Sequence, residues 1–270
     1  SITHQIQNLE EELGVKLFRR TTRIVEITTE GLIFLEDAKQ IVSRAKRAVA
    51  RFAQNDEQEV LDFSIGCTSF SQFELLSKVL REFLSIYPNV HPRIVRAAPA
   101  DLLRLTTEGT LDISFDIKSA DITKDGLSFR ELGKVNGVCI FPAGHPFSEK
   151  ECLTTENFAD QRQILYHPAF SAPEISRLQM KQSEGMRPSD LYLCETSEAA
   201  ILLVRAGFGV TILPDIFLPE FPDLEKRILS DATPLSFGYY YKTLSGNAPL
   251  KAFVGLVKKK WLGNRNKVPK

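Results

Sequence analysis

Small hydroxyl side chains crowd one short segment, Cys67-Thr68-Ser69-Phe70-Ser71-Gln72, between the apolar run Leu61 to Cys67 and an amphipathic run from Phe73 to Tyr87. Where a strand ends and a helix begins, backbone N–H groups point outward. Thr68, Ser69 and Ser71 could therefore hold a carboxylate or similar anion, although the same residues also suit plain capping of the helix. If the strands form an open parallel sheet, the other walls of such a site come from the remaining strand ends. These are Ala98-Pro99, Phe115-Asp116, Tyr166-His167-Pro168-Ala169-Phe170, Glu195-Thr196-Ser197 and Thr211. Phe115, Pro168 and Phe170 suggest room for an aromatic or aliphatic body, though aromatics at strand ends commonly fill cores. Glu195 could select a ligand amine or cap the next helix, and His167 offers a polar or pH-sensitive contact or is only a loop residue.

A second chemistry lies at the N-terminus. Ile6, Leu9, Leu13, Leu17 and Phe18 share one face at helical spacing, leaving Thr3, His4, Gln5 and Asn8 to project, and Gly14 closes the helix. Arg19, Arg20 and Arg23 then sit among β-branched residues around a polar turn, as in a small hairpin. A polar-faced helix followed by an arginine-bearing hairpin suits duplex DNA, the helix entering the major groove while the arginines grip phosphates.

Catalysis needs a nucleophile, base and orienting group, or a metal, in one place. The sequence has no G-x-S-x-G, H-E-x-x-H, Walker or dinucleotide motif, so an enzyme is not expected. Cys67, Cys139, Cys152 and Cys194 show neither CxxC nor metal-ligand spacing, which points to reduced thiols in a cytoplasm and to no metal or cofactor. No apolar run is long enough to span a membrane. Of the 34 basic and 34 acidic residues, 1–55 carry a net +2, 258–270 a net +6 and the middle a net −8. Phosphate contact is thus expected at the N-terminus, and the terminal lysines read best as a solvated tail.

From Thr28 or Thr29, a plausible N-cap, the chain runs to Phe52 without glycine or proline after the first turn. Leu35, Ala38, Val42, Ala45, Val49 and Phe52 recur as a heptad seam, which favours pairing with a second copy. The pattern dissolves into polar residues over 53–59, where a hinge is expected. Beyond it, strands and helices alternate as βαβαβ, and a second α/β unit begins near Gly137, while the strand Ser236 to Tyr241 and the helix Leu250 to Trp261 return to the first.

The run Gln5-Ile6 … Leu9-Glu10 … Leu13-Gly14 … Leu17-Phe18 … Arg20, leading to Thr28 … Gly31, strongly resembles the winged helix-turn-helix of LysR-type transcriptional regulators. The pieces Gly-Thr-Leu-Asp-Ile (109–113), Gly-His-Pro (144–146) and Gly-Phe-Gly-Val-Thr-Ile-Leu-Pro (207–214) resemble the effector domain of the same family, which has the periplasmic-binding-protein fold. The resemblance implies a partial reading head over 1–28, a linker and dimerisation helix with hinge over 29–58, and an effector domain over 59–270. Its lobe I would span about 59–136 and 237–262, and lobe II about 137–236. It implies DNA contact through Ser1, Thr3, His4, Gln5, Arg19, Arg20 and Arg23, and a homodimer or homotetramer. A small effector, a carboxylate among the candidates, would meet Thr68, Ser69, Phe70, Ser71, Ala98, Phe115, His167, Pro168, Thr196 and Thr211. In the family further helices precede this point, so the chain is expected to begin inside its recognition helix and to bind DNA weakly by itself. Two alternatives stay open: a thiol sensor using Cys67 or Cys194, and a solute-binding protein.

Overall fold

The computed structural model describes residues 2–20, 25–50, 60–69, 73–118, 126–158, 160–217 and 221–265. The chain divides into two compact units, Ser1–Asp56 and Glu57–Lys270, each taken by itself below.

In the smaller unit helix α1 (Ile2–Leu13) leads into an antiparallel hairpin of β1 (Phe18–Arg20) and β2 (Val25–Ile27), and helix α2 (Thr29–Ala50) follows. Gly14 takes the left-handed φ of 71° that ends α1. The expected apolar face is only partly covered: Leu17 is buried, Ile6 and Leu9 are half-buried and Leu13 is exposed. The residue that α1 buries is instead Glu10. Its carboxylate accepts the backbone N–H of Leu17 at 2.9 Å and of Phe18 at 3.0 Å, and Lys16 Nζ at 2.9 Å. The Lys16 ammonium, and then these amides, hold the carboxyl below its ordinary range.

Thr28 is the cap of α2. Its hydroxyl donates to the Lys16 carbonyl at 2.6 Å and accepts the Gly31 N–H at 2.9 Å. Gly31 lies against the hairpin, where a Cβ would collide with the Leu17 carbonyl oxygen. Along α2, Leu35, Val42, Ala45 and Val49 are exposed, the valines at 53% and 65%, and Ala38 is half-buried. Phe52 and the expected hinge lie outside the described residues.

The larger unit holds two five-stranded sheets. Lobe I is built from β3 (Leu61–Cys67), α3 (Phe73–Ile86), β4 (Val90–Arg96), α4 (Pro99–Glu108), β5 (Ile113–Ile117) and β6 (Ser128–Val135). Lobe II follows as β7 (Gly137–Pro142), β8 (Gln163–Tyr166), α5 (Pro173–Ser183), β9 (Leu191–Cys194), α6 (Ser197–Arg205), β10 (Val210–Pro214) and β11 (Leu224–Ile228). The chain then returns to lobe I as β12 (Leu235–Tyr241) and α7 (Ala248–Arg265). The sheet orders are β4-β3-β5-β12-β6 and β11-β7-β10-β8-β9. Pairing is parallel for β4-β3-β5 and β10-β8-β9, as the βαβ order requires, but antiparallel where β12, β6, β7 and β11 join, so both sheets are mixed. Strands β6 and β11 escape a sequence reading because both are edges, written Ser-Phe-Arg-Glu-Leu-Gly-Lys-Val and Leu-Glu-Lys-Arg-Ile, whose charges guard an open flank instead of marking a buried face.

Apolar side chains explain how the layers lock. Phe63 of β3, Phe83 of α3 and Phe253 of α7 stack with centroids 4.8 to 5.2 Å apart, pressing both helices on one face of the first sheet. The basic C-terminal stretch is not only a solvated tail: α7 continues to Arg265, and Lys259 and Lys260 reach Glu82 of α3 at 2.8 and 2.7 Å. In the second lobe Ala200, Ile201 and Val204 of α6 pack with Ile140, Ile164 and Leu213. Asp112, from the Gly-Thr-Leu-Asp-Ile run, accepts the Ser64 N–H at 2.8 Å while its own N–H returns to the Ser64 carbonyl at 2.9 Å, pinning β5 to β3.

Two substitutions test the small unit. Glu10→Gln should raise the hydrogen-exchange rates of the Leu17 and Phe18 amides, and in the parent chain the same protection should fade as acidification protonates Glu10 below the ordinary carboxylate range. Gly31→Ala should destabilise the head by about 1–3 kcal/mol, through the forced shift of the hairpin, read from the loss of protection of its amides.

Candidate functional site

Strand ends from the two lobes meet directly. Ser69, following β3, is 1% exposed, and its hydroxyl lies 3.1 Å from that of Ser197, the first residue of α6. The Ser69 hydroxyl also donates to Glu198 at 3.4 Å, and Glu198 pairs with Arg96, at the end of β4, at 3.2 Å. Arg96 Nε in turn donates to the Thr68 carbonyl at 3.3 Å. A polar clasp thus joins the lobes where an anion was expected. Arg96 and Glu198 were not among the expected site residues. The rule that sites form at the carboxyl ends of strands could have found Arg96, whereas Glu198 reads in sequence as an ordinary acid of a helix's first turn.

Beside the clasp lies a cavity of about 600 Å³, lined by Pro99, Ala100 and Leu103 of α4, Asp116 and Ile117 of β5, and the segment around Pro168 to Pro173. Asp116 is 6% exposed and takes one hydrogen bond, from the Ile117 N–H at 2.8 Å. Burial pushes its carboxyl up to about 7, the single amide doing little against desolvation. Tyr166, which ends β8, is buried as well; burial raises its phenol to about 12, and its charge interactions with Arg96, Glu198 and Asp116 place clasp and cavity side by side. A larger groove, about 810 Å³, lies on lobe II alone among surface charges such as the ion-paired Arg187 and Asp190. The interlobe cavity is the better site because a buried acid converges on it.

The expected effector residues divide. Thr68 and Ser69 are buried in the clasp, Pro168 lines the cavity, and Ala98 is the N-cap of α4, whose first turn borders it. Four other expected residues have partners outside the cavity. Phe115 is core, 5.9 Å from the Tyr239 ring, because alternation along β5 turns it away from the face that Asp116 occupies. The Thr211 hydroxyl is spent on the Ile164 carbonyl at 2.6 Å, holding β10 to β8. Thr196 caps α6 through the Ala199 N–H at 3.0 Å, and His167 caps a short turn through the Ala169 N–H at 3.2 Å. Phe70 and Ser71 lie outside the described residues.

Burial also removes the thiol chemistry considered from sequence: Cys67 is buried with its thiol pushed up to about 11, and burial raises Cys194 too, the reverse of a reactive thiolate. In the smaller unit Thr3, His4 and Gln5 are exposed on α1 and Arg19 on β1. Arg20 closes the β1 register, and Ser1 and Arg23 lie outside the described residues. Among the described residues no helix is long and apolar enough to cross a membrane, and no cluster of His, Cys, Asp or Glu could hold a metal.

Asp116 yields a pH prediction. Its native carboxyl, near 7, keeps a proton that the unfolded chain releases near 3.8, so its contribution to stability falls as pH rises between those values and is flat above. Asp116→Asn should therefore gain on the parent chain between pH 4 and 8 by about 2–4 kcal/mol in urea unfolding.

Two family models match the chain: residues 1–32 fit the bacterial regulatory helix-turn-helix protein of the lysR family, and residues 57–262 the LysR substrate binding domain. Among curated relatives, the HTH-type transcriptional regulator AlsR of Bacillus subtilis is 27% identical over 216 residues, 79% of this chain and 70% of AlsR. ClcR of Pseudomonas putida is 28% identical over 265 residues, 95% of this chain and 87% of ClcR. Among solved structures, CbnR, a LysR family transcriptional regulator, superposes with a TM-score of 0.68 at 19% identity, covering 96% of this chain and 88% of CbnR. Full-length BenM gives 0.62 at 21%, covering 97% and 88%. At such identities the likeness shows the fold, two lobes of periplasmic-binding-protein type behind a winged helix-turn-helix. The substrate-binding model alone spans most of the sequence, and the chain belongs to the LysR family of DNA-binding transcription regulators, which are not enzymes.

Proposed function

We propose that a small molecule entering the cavity between the lobes controls how paired reading heads hold DNA. The observation that carries this reading is the buried carboxyl of Asp116 facing a 600 Å³ space at the strand ends, next to a clasp that ties one lobe to the other. A ligand that binds one arrangement of the lobes better than another shifts the balance between them, and the Ser69, Ser197, Arg96 and Glu198 contacts are the ones such a shift would make or break.

On this reading α2 carries the shift outward. Leu35, Ala38, Val42, Ala45, Val49 and Phe52 form the seam of a coiled-coil pair, supported by the exposure of Leu35, Val42, Ala45 and Val49 along one helix. Further apolar side chains stand exposed on two of the edge strands of the larger unit, Ile94 on β4 and Leu193 on β9, with Leu84 of α3 and Leu202 of α6 nearby in sequence. They suit contact with a second copy, as a homodimer or homotetramer. Thr3, His4 and Gln5 meet base edges and Arg19 the phosphates, with Ser1, Arg20 and Arg23 in the same roles, in a cytoplasmic protein. LysR regulators bind DNA and small-molecule effectors, and CbnR has been crystallised with its target DNA.

Pairing is tested by sedimentation. Val42→Glu places a charge in the seam and should raise the dimer dissociation constant at least about tenfold, with the larger unit still folded by circular dichroism. An unchanged constant removes α2 from the interface. The effector is tested by thermal unfolding against a panel of metabolites. A ligand at about a hundred times its dissociation constant should add roughly 2.7 kcal/mol, and Leu103→Trp, which fills the cavity, should erase the gain. A ligand whose effect survives Leu103→Trp binds elsewhere and sinks the interlobe reading.

A further inference from the structure

The geometry points to a zwitterionic effector, a small amino carboxylate with an apolar body, whose ammonium group meets Asp116 and whose carboxylate meets the starts of α4 and α5. This rests on the interlobe reading above and assigns the chemistry of that cavity. Two helices begin at the cavity, and neither has a side-chain cap. Their N-cap residues are Ala98 and Ala172, which offer no acceptor, and each is followed by a proline, Pro99 and Pro173. Proline at the first helical position removes an N–H that a helix leaves unused and sets the turn, while the next amides still carry the positive end of the helix dipole. In most helices a Ser, Thr, Asp or Asn side chain satisfies those amides, as Thr28 and Thr196 do for α2 and α6 in this chain. At α4 and α5 that acceptor is missing on both sides of one cavity, and a ligand carboxylate is the group that supplies it.

A helix start alone would select any anion. Asp116 makes the selection narrower. Its carboxyl lies more than nine-tenths buried at the end of β5, with one amide as its hydrogen-bond donor and no cation paired with it among the described residues. The one guanidinium on the cavity wall, Arg104, is turned to Asp101 at 3.3 Å and Glu108 at 3.1 Å on its own helix. A simple carboxylate entering here would bring no cation to Asp116 and would leave its own charge to the helix starts alone. An amino carboxylate brings its own cation, so that each buried charge gains a partner of opposite sign and the ligand as a whole stays neutral. Of the remaining walls, Leu103, Ile117, Pro168 and Ala169 are apolar, the Thr107 and Ser171 hydroxyls donate to the Leu103 and Ala172 carbonyls, and Glu108 is paired with Arg104, which suits an aliphatic body.

Calorimetric titration of the whole chain with the common amino acids, one by one, followed by the deaminated acid and the decarboxylated amine of the best binder, tests the inference. For leucine these controls are 4-methylpentanoate and 3-methylbutylamine. The expected result is that the amino acid binds at least about tenfold more tightly than either control. Asp116→Asn should remove the advantage over the acid while leaving the acid's own affinity in place, and Leu103→Trp should abolish binding of all three. Equal affinity for acid and amino acid, or an advantage untouched by Asp116→Asn, overturns the zwitterionic assignment while leaving an interlobe effector standing. Binding that survives Leu103→Trp fails the interlobe reading itself, and no binding by any amino acid overturns the assignment outright.

Discussion

The chain passes between the two sheets of the larger unit twice, and both passages lie side by side because Val135 at the end of β6 pairs with Leu235 at the start of β12. Just beyond, the Leu229 N–H donates to the Gly137 carbonyl at 3.1 Å, so the outgoing and returning strands are bonded on the lobe II side as well. Two adjacent strands make a joint with a defined axis and little freedom elsewhere. Each lobe keeps its own sheet, and the strand ends that carry Ser69, Arg96, Asp116, Tyr166 and Ser197 are held in one cleft. A clasp made of hydroxyls and a single half-exposed ion pair is a weak tie by comparison, of the kind a ligand can rearrange without disturbing either core.

The two buried carboxylates among the described residues are solved in opposite ways. Glu10 sits among three donors, two of them backbone amides, and is held in its charged form. It works as a bolt between helix and hairpin. Asp116 has one amide and an apolar surrounding, so burial favours its neutral form. A fold that needs only stability would place an amide or an alkyl group there, and a buried acid with no cation beside it among the described residues, lining a cavity, is the signature of a site.

Apart from the charged edges β6 and β11, the alternation of strands and helices was legible from hydrophobic period, and the N-terminal motif from its spacing. Glu10, Thr28 and Gly31 belong to that motif, yet their reasons are contacts across the turn: a carboxylate on two amides, a hydroxyl on a carbonyl, a missing Cβ beside Leu17. At the cleft the strand-end rule located the region but not the face. Phe115 and Asp116 are neighbours, and an error of one residue in the phase of β5 exchanges a core aromatic for the acid of the cavity. Thr211 and Thr196 looked like binding groups because a hydroxyl's partner is invisible in sequence, and each is consumed by a backbone group nearby in space. Arg96 and Glu198 stayed hidden for the converse reason, since each is an ordinary surface charge until the lobes bring them together.

The return of β12 and α7 to the first sheet also sets an order in time. Lobe II is written as one continuous stretch between β7 and β11, whereas lobe I needs β5 to find β12 and Glu82 to find Lys259, 177 residues further along the chain. On a ribosome the second lobe is therefore complete while the first still exposes the flank of β5 and the aromatic face that Phe253 will cover. Contacts so distant in sequence close slowly, and an unfinished sheet edge invites pairing with another chain. Lobe I, begun before lobe II, is thus the lobe completed after it, and its open sheet edge persists until β12 and α7 have left the exit tunnel.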